Sequence, residues 1–180
     1  MESLSRPSFA PTTGLPALDT VLHGVQRGDN IVWQIQSLDE YLALVRPYAA
    51  AARLQQRRLI YFRFADHPPL LAPDAGAEMH QPRPTDGFDA FVDQVHSVIE
   101  AAGPETMYVF DCLSTLAEAW QSDRMMGNFF RLTCPRLFDL IGQTLATGLV
   151  MEWCPSDLER WWTDQLRAPD AFGRLMAVFA

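Results

Sequence analysis

Lysine is missing from this chain altogether: all fourteen Lys-plus-Arg residues are arginine. No lysine ammonium group is therefore available to neutralise an outer phosphate. Glycine is absent between Gly28 and Gly76, where a phosphate-binding loop would need it. Cysteine is sparse. Cys112, Cys134 and Cys154 are scattered, odd in number and without CxxC spacing, which argues against a disulfide framework or a structural zinc site. Free thiols point to a reducing compartment. No apolar run approaches the length of a membrane span, and the N-terminal MESLSRPSFAPTTG lacks the apolar stretch of a signal peptide. A soluble, cytoplasmic protein is expected. Basic excess is lacking too. The net charge of -8 argues against nucleic acid and anionic membrane surfaces as partners, both of which attract basic proteins. The motifs GxSxG and HExxH do not occur, so hydrolase readings have no anchor.

What is present suffices for one folded domain. Hydrophobic residues make up 48% of the 180 residues, and charged residues 20%, a balance that supports a core. Residues 1–12 read as a flexible lead-in, and 13–180 as the domain. Thr13 to Leu22 predicts a short helical turn with Leu15, Leu18 and Leu22 on one face. Ile31–Ile35 reads as a buried strand. Ser37 and Glu40 have capping-box spacing and open a helix reaching about Gln56, kinked or interrupted at Pro47. Leu59–Phe64 is a second strand. Residues 66–87 read as one Pro-rich loop, long enough to be functional or mobile. Asp86 is expected to cap a helix with Phe88, Phe91, Val92, Val95 and Ile99 inward, stopped by Gly103-Pro104. Met107–Asp111 is a third strand. Residues 114–142 read as mostly helical, with Met125, Phe129, Leu132, Leu137 and Ile141 inward and an interruption at Pro135. Leu149–Trp153 predicts a fourth strand and Ser156–Leu166 a capped helix, while Phe172–Ala180 is apolar and ambiguous. Strand–helix alternation implies an α/β fold, a parallel sheet with helices on both faces.

The connection after the first strand is the most informative stretch. A phosphate site needs backbone N–H groups converging at a helix start, glycines for close approach and a lysine. Here Gln36-Ser37-Leu38-Asp39-Glu40-Tyr41 supplies no glycine and no lysine. Asp39 and Glu40 already interact with the positive end of the helix dipole, so a triphosphate would meet like charge. Asp111 ends the third strand after four apolar residues. It either serves a ligand or has settled into capping a turn or bonding Ser114. Glu152, near the end of the fourth strand, lines the same cleft or is simply a polar strand end. Open α/β sheets bind ligands at strand carboxyl ends, so the candidate cleft comprises Gln34, Gln36, Ser37, Asp111, Ser114 and Glu152. His67 and His80 share the long loop with Asp66, Asp74 and Glu78, but their spacings match no metal frame; no metal and no other cofactor is expected. His96 falls on the solvent side of its helix. Trp161 and Trp162 point about 100° apart on a helix, so either one marks a contact surface or both lie under the C-terminal tail.

Thr13-Gly14-Leu15-Pro16-Ala17-Leu18-Asp19, followed by Leu22, Gly24 and Gly28-Asp29-Asn30 and then the strand Ile31–Ile35, resembles the opening of RecA-like and KaiC-like ATPases. The likeness spans Thr13 to Trp153. It implies a RecA-like fold of P-loop type with the nucleotide loop lost, and it gives Asp111 the place of the aspartate that helps hold Mg²⁺ in a working ATPase. The phrases Gly28-Asp29-Asn30-Ile31-Val32-Trp33-Gln34 and Tyr61-Phe62-Arg63-Phe64-Ala65-Asp66-His67-Pro68-Pro69-Leu70 are also similar to an N-terminal extension of some bacterial phosphoenolpyruvate synthase/pyruvate phosphate dikinase-like proteins. The catalytic parts of those proteins are not in these residues, so no catalytic residue carries over.

Two readings follow. One is a RecA/KaiC-like domain without ATP hydrolysis, acting as a regulatory or protein-interaction module. The other is an enzyme: part of a phosphoenolpyruvate-synthase-like phosphotransferase, or a remodelled nucleotide enzyme using Asp111 and Glu152. A protein partner or a homodimer through the C-terminal region is expected, because sheet edges and apolar patches recruit partners.

Overall fold

The computed structural model describes residues 10–26, 28–35, 37–139, 143–149 and 175–179. Helix α1 (Pro16–Val21) precedes strand β1 (Asn30–Ile35) and helix α2 (Leu38–Leu54). Strand β2 (Leu59–Arg63) is followed by β3 (Ala77–His80) and helix α3 (Phe88–Ala102). Strand β4 (Met107–Asp111) leads into helices α4 (Leu113–Trp120) and α5 (Asp123–Asp139), then β5 (Gln143–Leu149) and β6 (Leu175–Phe179). The six strands form one sheet in the order β3-β2-β4-β5-β1-β6, and every neighbouring pair is parallel.

Side chains alternate along β1, β2 and β4, as the two-residue period requires. Ile31, Ile35, Leu59, Tyr61, Met107 and Val109 pack with Tyr41, Val45 and Tyr48 of α2 on one face. Val32, Ile60, Phe62, Tyr108 and Phe110 pack with α3, α4 and α5 on the other. Strands β2 and β4 are covered on both faces, so they are near-continuous apolar runs.

The first loop is held by one carboxylate. Asp19 accepts hydrogen bonds from Thr12 Oγ1 at 2.5 Å, Thr13 N at 2.8 Å and Thr13 Oγ1 at 2.6 Å. Gly14 sits in the turn so formed with φ +81°, pressed onto the Pro47 carbonyl of α2. Ala10, within the expected lead-in, accepts a hydrogen bond from Gln55 Nε2; residues 1–9 lie outside the described residues.

Several expectations are corrected. Residues 66–87 are not one loop: Ala77–His80 forms β3, an edge strand whose Ala77 and His80 pair with Leu59 and Phe62. Gly87, not Asp86, is the N-cap of α3, and no side chain caps that helix. The helical stretch breaks at Gln121 (φ +47°), where Ser122 Oγ accepts from Met125 N, while Pro135 stays inside α5. The inward stripe of α5 is Met126, Phe129, Phe130, Thr133, Cys134 and Leu137. That is a regular i, i+3, i+4 pattern, and it leaves Leu132 48% exposed. Burial pushes the Cys134 thiol up to about 12. A strand precedes the expected Leu149–Trp153: β5 is Gln143–Leu149, whose Thr144–Leu149 aligns with Asn30–Ile35, while residues 150–153 of the expected strand lie outside the described residues. The ambiguous C-terminal segment supplies β6, a further strand beside β1.

His96 is buried, 8% exposed, with Nε2 3.2 Å from Thr133 Oγ1 across the α3–α5 contact. This overturns its expected solvent position: α5 widens the covered stripe of α3 by one residue. Burial, with Arg136 adding to it, lowers the His96 pKa below its ordinary 6.5, and Asp93 partly offsets this. The unfolded chain binds this proton more readily than the folded one. Its contribution is therefore fully present above 6.5 and is lost as pH falls toward the depressed folded value. His96→Gln is expected to flatten the loss of stability between about pH 7 and about pH 5, read by urea melts; an unchanged acid slope would place that loss on other groups.

Candidate functional site

The carboxyl ends of β2 and β4 lie side by side, Arg63 opposite Asp111. The chain leaves β4 for α4 on one face of the sheet, while the connection from β2, through Leu70 and Leu71, packs with α2 on the other. Such a point, where connections part to opposite faces, is where open α/β sheets form a crevice.

Asp111 stands in it, 0% exposed. Tyr61 donates its hydroxyl to Asp111 Oδ2 at 2.6 Å, and His67 Nε2 lies 2.9 Å from Asp111 Oδ1. The period-two alternation explains the first contact: Tyr61 and Asp111 both face α2. Tyr41 of α2 extends the chain, with its hydroxyl 3.3 Å from that of Tyr61 and its ring edge-on to His67 at 6.3 Å between centroids. His67 Nδ1 lies 2.9 Å from the Pro68 carbonyl, and Arg63 donates to the His67 carbonyl. Arg63 Nε is buried without a hydrogen-bond partner among the described residues. The backbone closes the same corner, since Phe64 N and Ala65 N both donate to the Asp111 carbonyl, at 2.5 and 3.2 Å. The Asp111–Cys112 peptide is cis.

Burial pushes the Asp111 carboxyl up from its ordinary value, while hydrogen bonds from Tyr61 and His67 hold it down. Burial, reinforced by the neighbouring Asp111 charge, pushes the Tyr61 phenol up as well, so this hydroxyl is a donor rather than a phenolate.

The start of α2 is already satisfied. Ser37 is its N-cap, its Oγ accepting from Glu40 N at 3.3 Å, and Asp39 and Glu40 occupy the first turn. Ser37→Ala is expected to lower stability by about 1 kcal/mol, read as a drop in melting temperature. An unchanged melting temperature would remove Ser37 from the cap.

Of the candidate cleft residues, Ser37 and Asp111 lie at the same end of the sheet. Ser37 follows β1 and Asp111 ends β4, and these strands are separated by β5, about 9.6 Å at the usual strand spacing. Gln34 lies in β1 and Ser114 is half-buried in the first turn of α4. Gln36 and Glu152 lie outside the described residues, as do Trp161 and Trp162. The loop histidines separate: His67 joins Asp111, whereas His80 pairs with Glu78 at 3.0 Å on the surface. Glu78 is held below its ordinary value first by Arg58, then by His80. Among the described residues no three His, Cys, Asp or Glu side chains converge on a metal position, and no helix is long and apolar enough to cross a membrane.

Tyr61, Tyr41 and Arg63 enter the site without having been singled out for it. The usable signal was the Tyr61-x-Arg63 phrase at the end of an apolar strand. Its partnership with Asp111, however, depends on β2 and β4 being neighbours, which no local spacing encodes. No family model and no curated protein matches this chain.

Proposed function

We propose that this chain is a RecA/KaiC-like domain whose nucleotide site has become an internal hydrogen-bond cluster, and that it works as a non-catalytic regulatory or protein-interaction module. The observation that carries the reading is Asp111, whose two carboxylate oxygens face Tyr61 and His67 within a fully buried setting. The finer fold assignment is supported by an all-parallel sheet in which Asp111 ends a strand set apart from β1 by one inserted strand. It is also supported by a helix that follows β1 directly. The loss of nucleotide function is supported by the acidic, Ser37-capped start of α2 and by the absence of lysine. With those groups engaged internally, the binding partner is a protein, a second copy of this chain being the simplest case.

The test is a melting experiment with Mg²⁺ and ATP or ADP, alongside light scattering on the free chain. A ligand that binds only the folded state raises the melting temperature with its concentration. No nucleotide-dependent rise and a dimer mass are expected. A saturable rise with ATP overturns the loss of nucleotide binding, and a monomer at all concentrations overturns self-association.

A further inference from the structure

The hydrogen-bond pattern around Asp111 fixes a proton count. A carbonyl oxygen only accepts, so His67 Nδ1, 2.9 Å from the Pro68 carbonyl, carries a hydrogen. The Tyr61 hydroxyl spends its hydrogen on Asp111 Oδ2. That leaves His67 Nε2 facing Asp111 Oδ1 at 2.9 Å. Two lone pairs at that separation repel, so one hydrogen lies between them. It sits on nitrogen, giving imidazolium and carboxylate, or on oxygen, giving neutral imidazole and a carboxylic acid. Both forms contain the same number of protons and are neutral as a pair, so the proton belongs to the pair rather than to either residue.

A divalent cation does not fit here. Mg²⁺ requires near-octahedral oxygen coordination and keeps several of its waters. Asp111 is fully buried, Oδ2 accepts from Tyr61, Oδ1 faces His67, and Phe64 N and Ala65 N close the backbone side. The segment that does this is anchored at both ends. Arg63 donates to the His67 carbonyl, and Leu70 is buried against the α2 face.

We infer that Asp111 has exchanged a divalent cation for a proton: Asp111 and His67 hold one proton between them, and this pair fastens the Phe64–Leu70 segment across the carboxyl end of β4. The other groups facing the pair are Tyr61 and Arg63 from β2 and Tyr41 from α2. The comparison with a metal-binding aspartate rests on the RecA/KaiC-like reading, whereas the proton count rests on the contacts alone.

The test uses the whole chain and needs no turnover. Ring nitrogen NMR of His67, assigned by difference against His67→Gln, is expected to show Nδ1 protonated and its signals unmoved by millimolar Mg²⁺. Millimolar Mn²⁺ is expected to leave the His67 signals sharp. Asp111→Asn mimics the protonated acid, since its amide donates to Nε2 and its carbonyl accepts from Tyr61. It is therefore expected to keep the His67 ring in place and to melt well above His67→Ala. Saturable Mn²⁺ broadening of His67, or an Nδ1 without hydrogen, overturns the inference. So does an Asp111→Asn chain that melts no higher than His67→Ala. Should both variants fail to fold, the Mn²⁺ and nitrogen measurements on the unaltered chain decide. Metal binding at Asp111 without ATP turnover would sink this inference and leave the non-catalytic reading standing; turnover would sink that reading.

Discussion

Gly14→Ala is expected to destabilise the domain by about 3 kcal/mol or more, from two costs that add. The residue has φ +81°, a region L side chains rarely adopt, and an added Cβ would lie 2.3 Å from the Pro47 carbonyl oxygen and 2.4 Å from its carbon. Those atoms are backbone inside α2 and cannot rotate away. Relieving the clash means moving the turn that Asp19 holds through Thr12 and Thr13, or shifting α2 itself. Gly24 is the control, because its φ is +85° but nothing lies within 4 Å of an added Cβ. Gly24→Ala should therefore cost only the conformational part, about 1–2 kcal/mol. Urea unfolding midpoints of the two variants check this; equal losses would mean that the approach to Pro47 carries no energy.

Phe129→Ala is expected to cost about 3–5 kcal/mol, the range for emptying a buried aromatic position. Phe129 is 1% exposed and its ring meets those of Phe91, Phe110, Trp120 and Phe130 at 5.6–6.1 Å between centroids. It joins α5 to α3, α4 and β4 at once, so the cavity would have walls on separate elements, which collapse poorly. Phe129→Leu keeps most of the volume and should retain more than half of the lost stability. A Phe129→Ala chain within about 1 kcal/mol of the parent in urea would show that the aromatic cluster is not the centre of this half of the core.

The α/β architecture was legible because its evidence is local. Ile31–Ile35, Leu59–Arg63 and Met107–Asp111 are apolar runs of strand length, and the Ser37 cap shows in the serine–glutamate spacing alone. What stayed hidden depends on neighbours. Ala77–His80 is a strand because β2 offers it a ladder; its own residues, Ala-Glu-Met-His, carry little β preference. Gln143–Leu149 is similarly weak, and reading the sequence favoured the more apolar Leu149–Trp153. Pairing with Asn30–Ile35 and Met107–Asp111 decided the register instead. Pro135 predicts a break because proline lacks an N–H. The chain broke at Gln121, where Ser122 offers the following helix a cap.

The site divides along the same line. Asp111 at a strand end is visible in the sequence, which does not choose between a ligand and an internal partner for it. In the sequence His67 is only a loop histidine that shares residues 66–87 with His80. The two part because β3 carries His80 to the outer edge, next to Glu78, while the turn after β2 delivers His67 to Asp111, forty-four positions away in sequence. A contact of that span is set by strand order, which becomes readable only when the sheet is assembled.

The central claim is that Asp111 serves the interior of this domain and not a nucleotide. Its most direct test is steady-state ATP hydrolysis by the pure chain in Mg²⁺, measured beside Asp111→Asn. The account predicts phosphate release indistinguishable from the protein-free control for both proteins. Mg²⁺-dependent release by the parent chain that disappears in Asp111→Asn would contradict it.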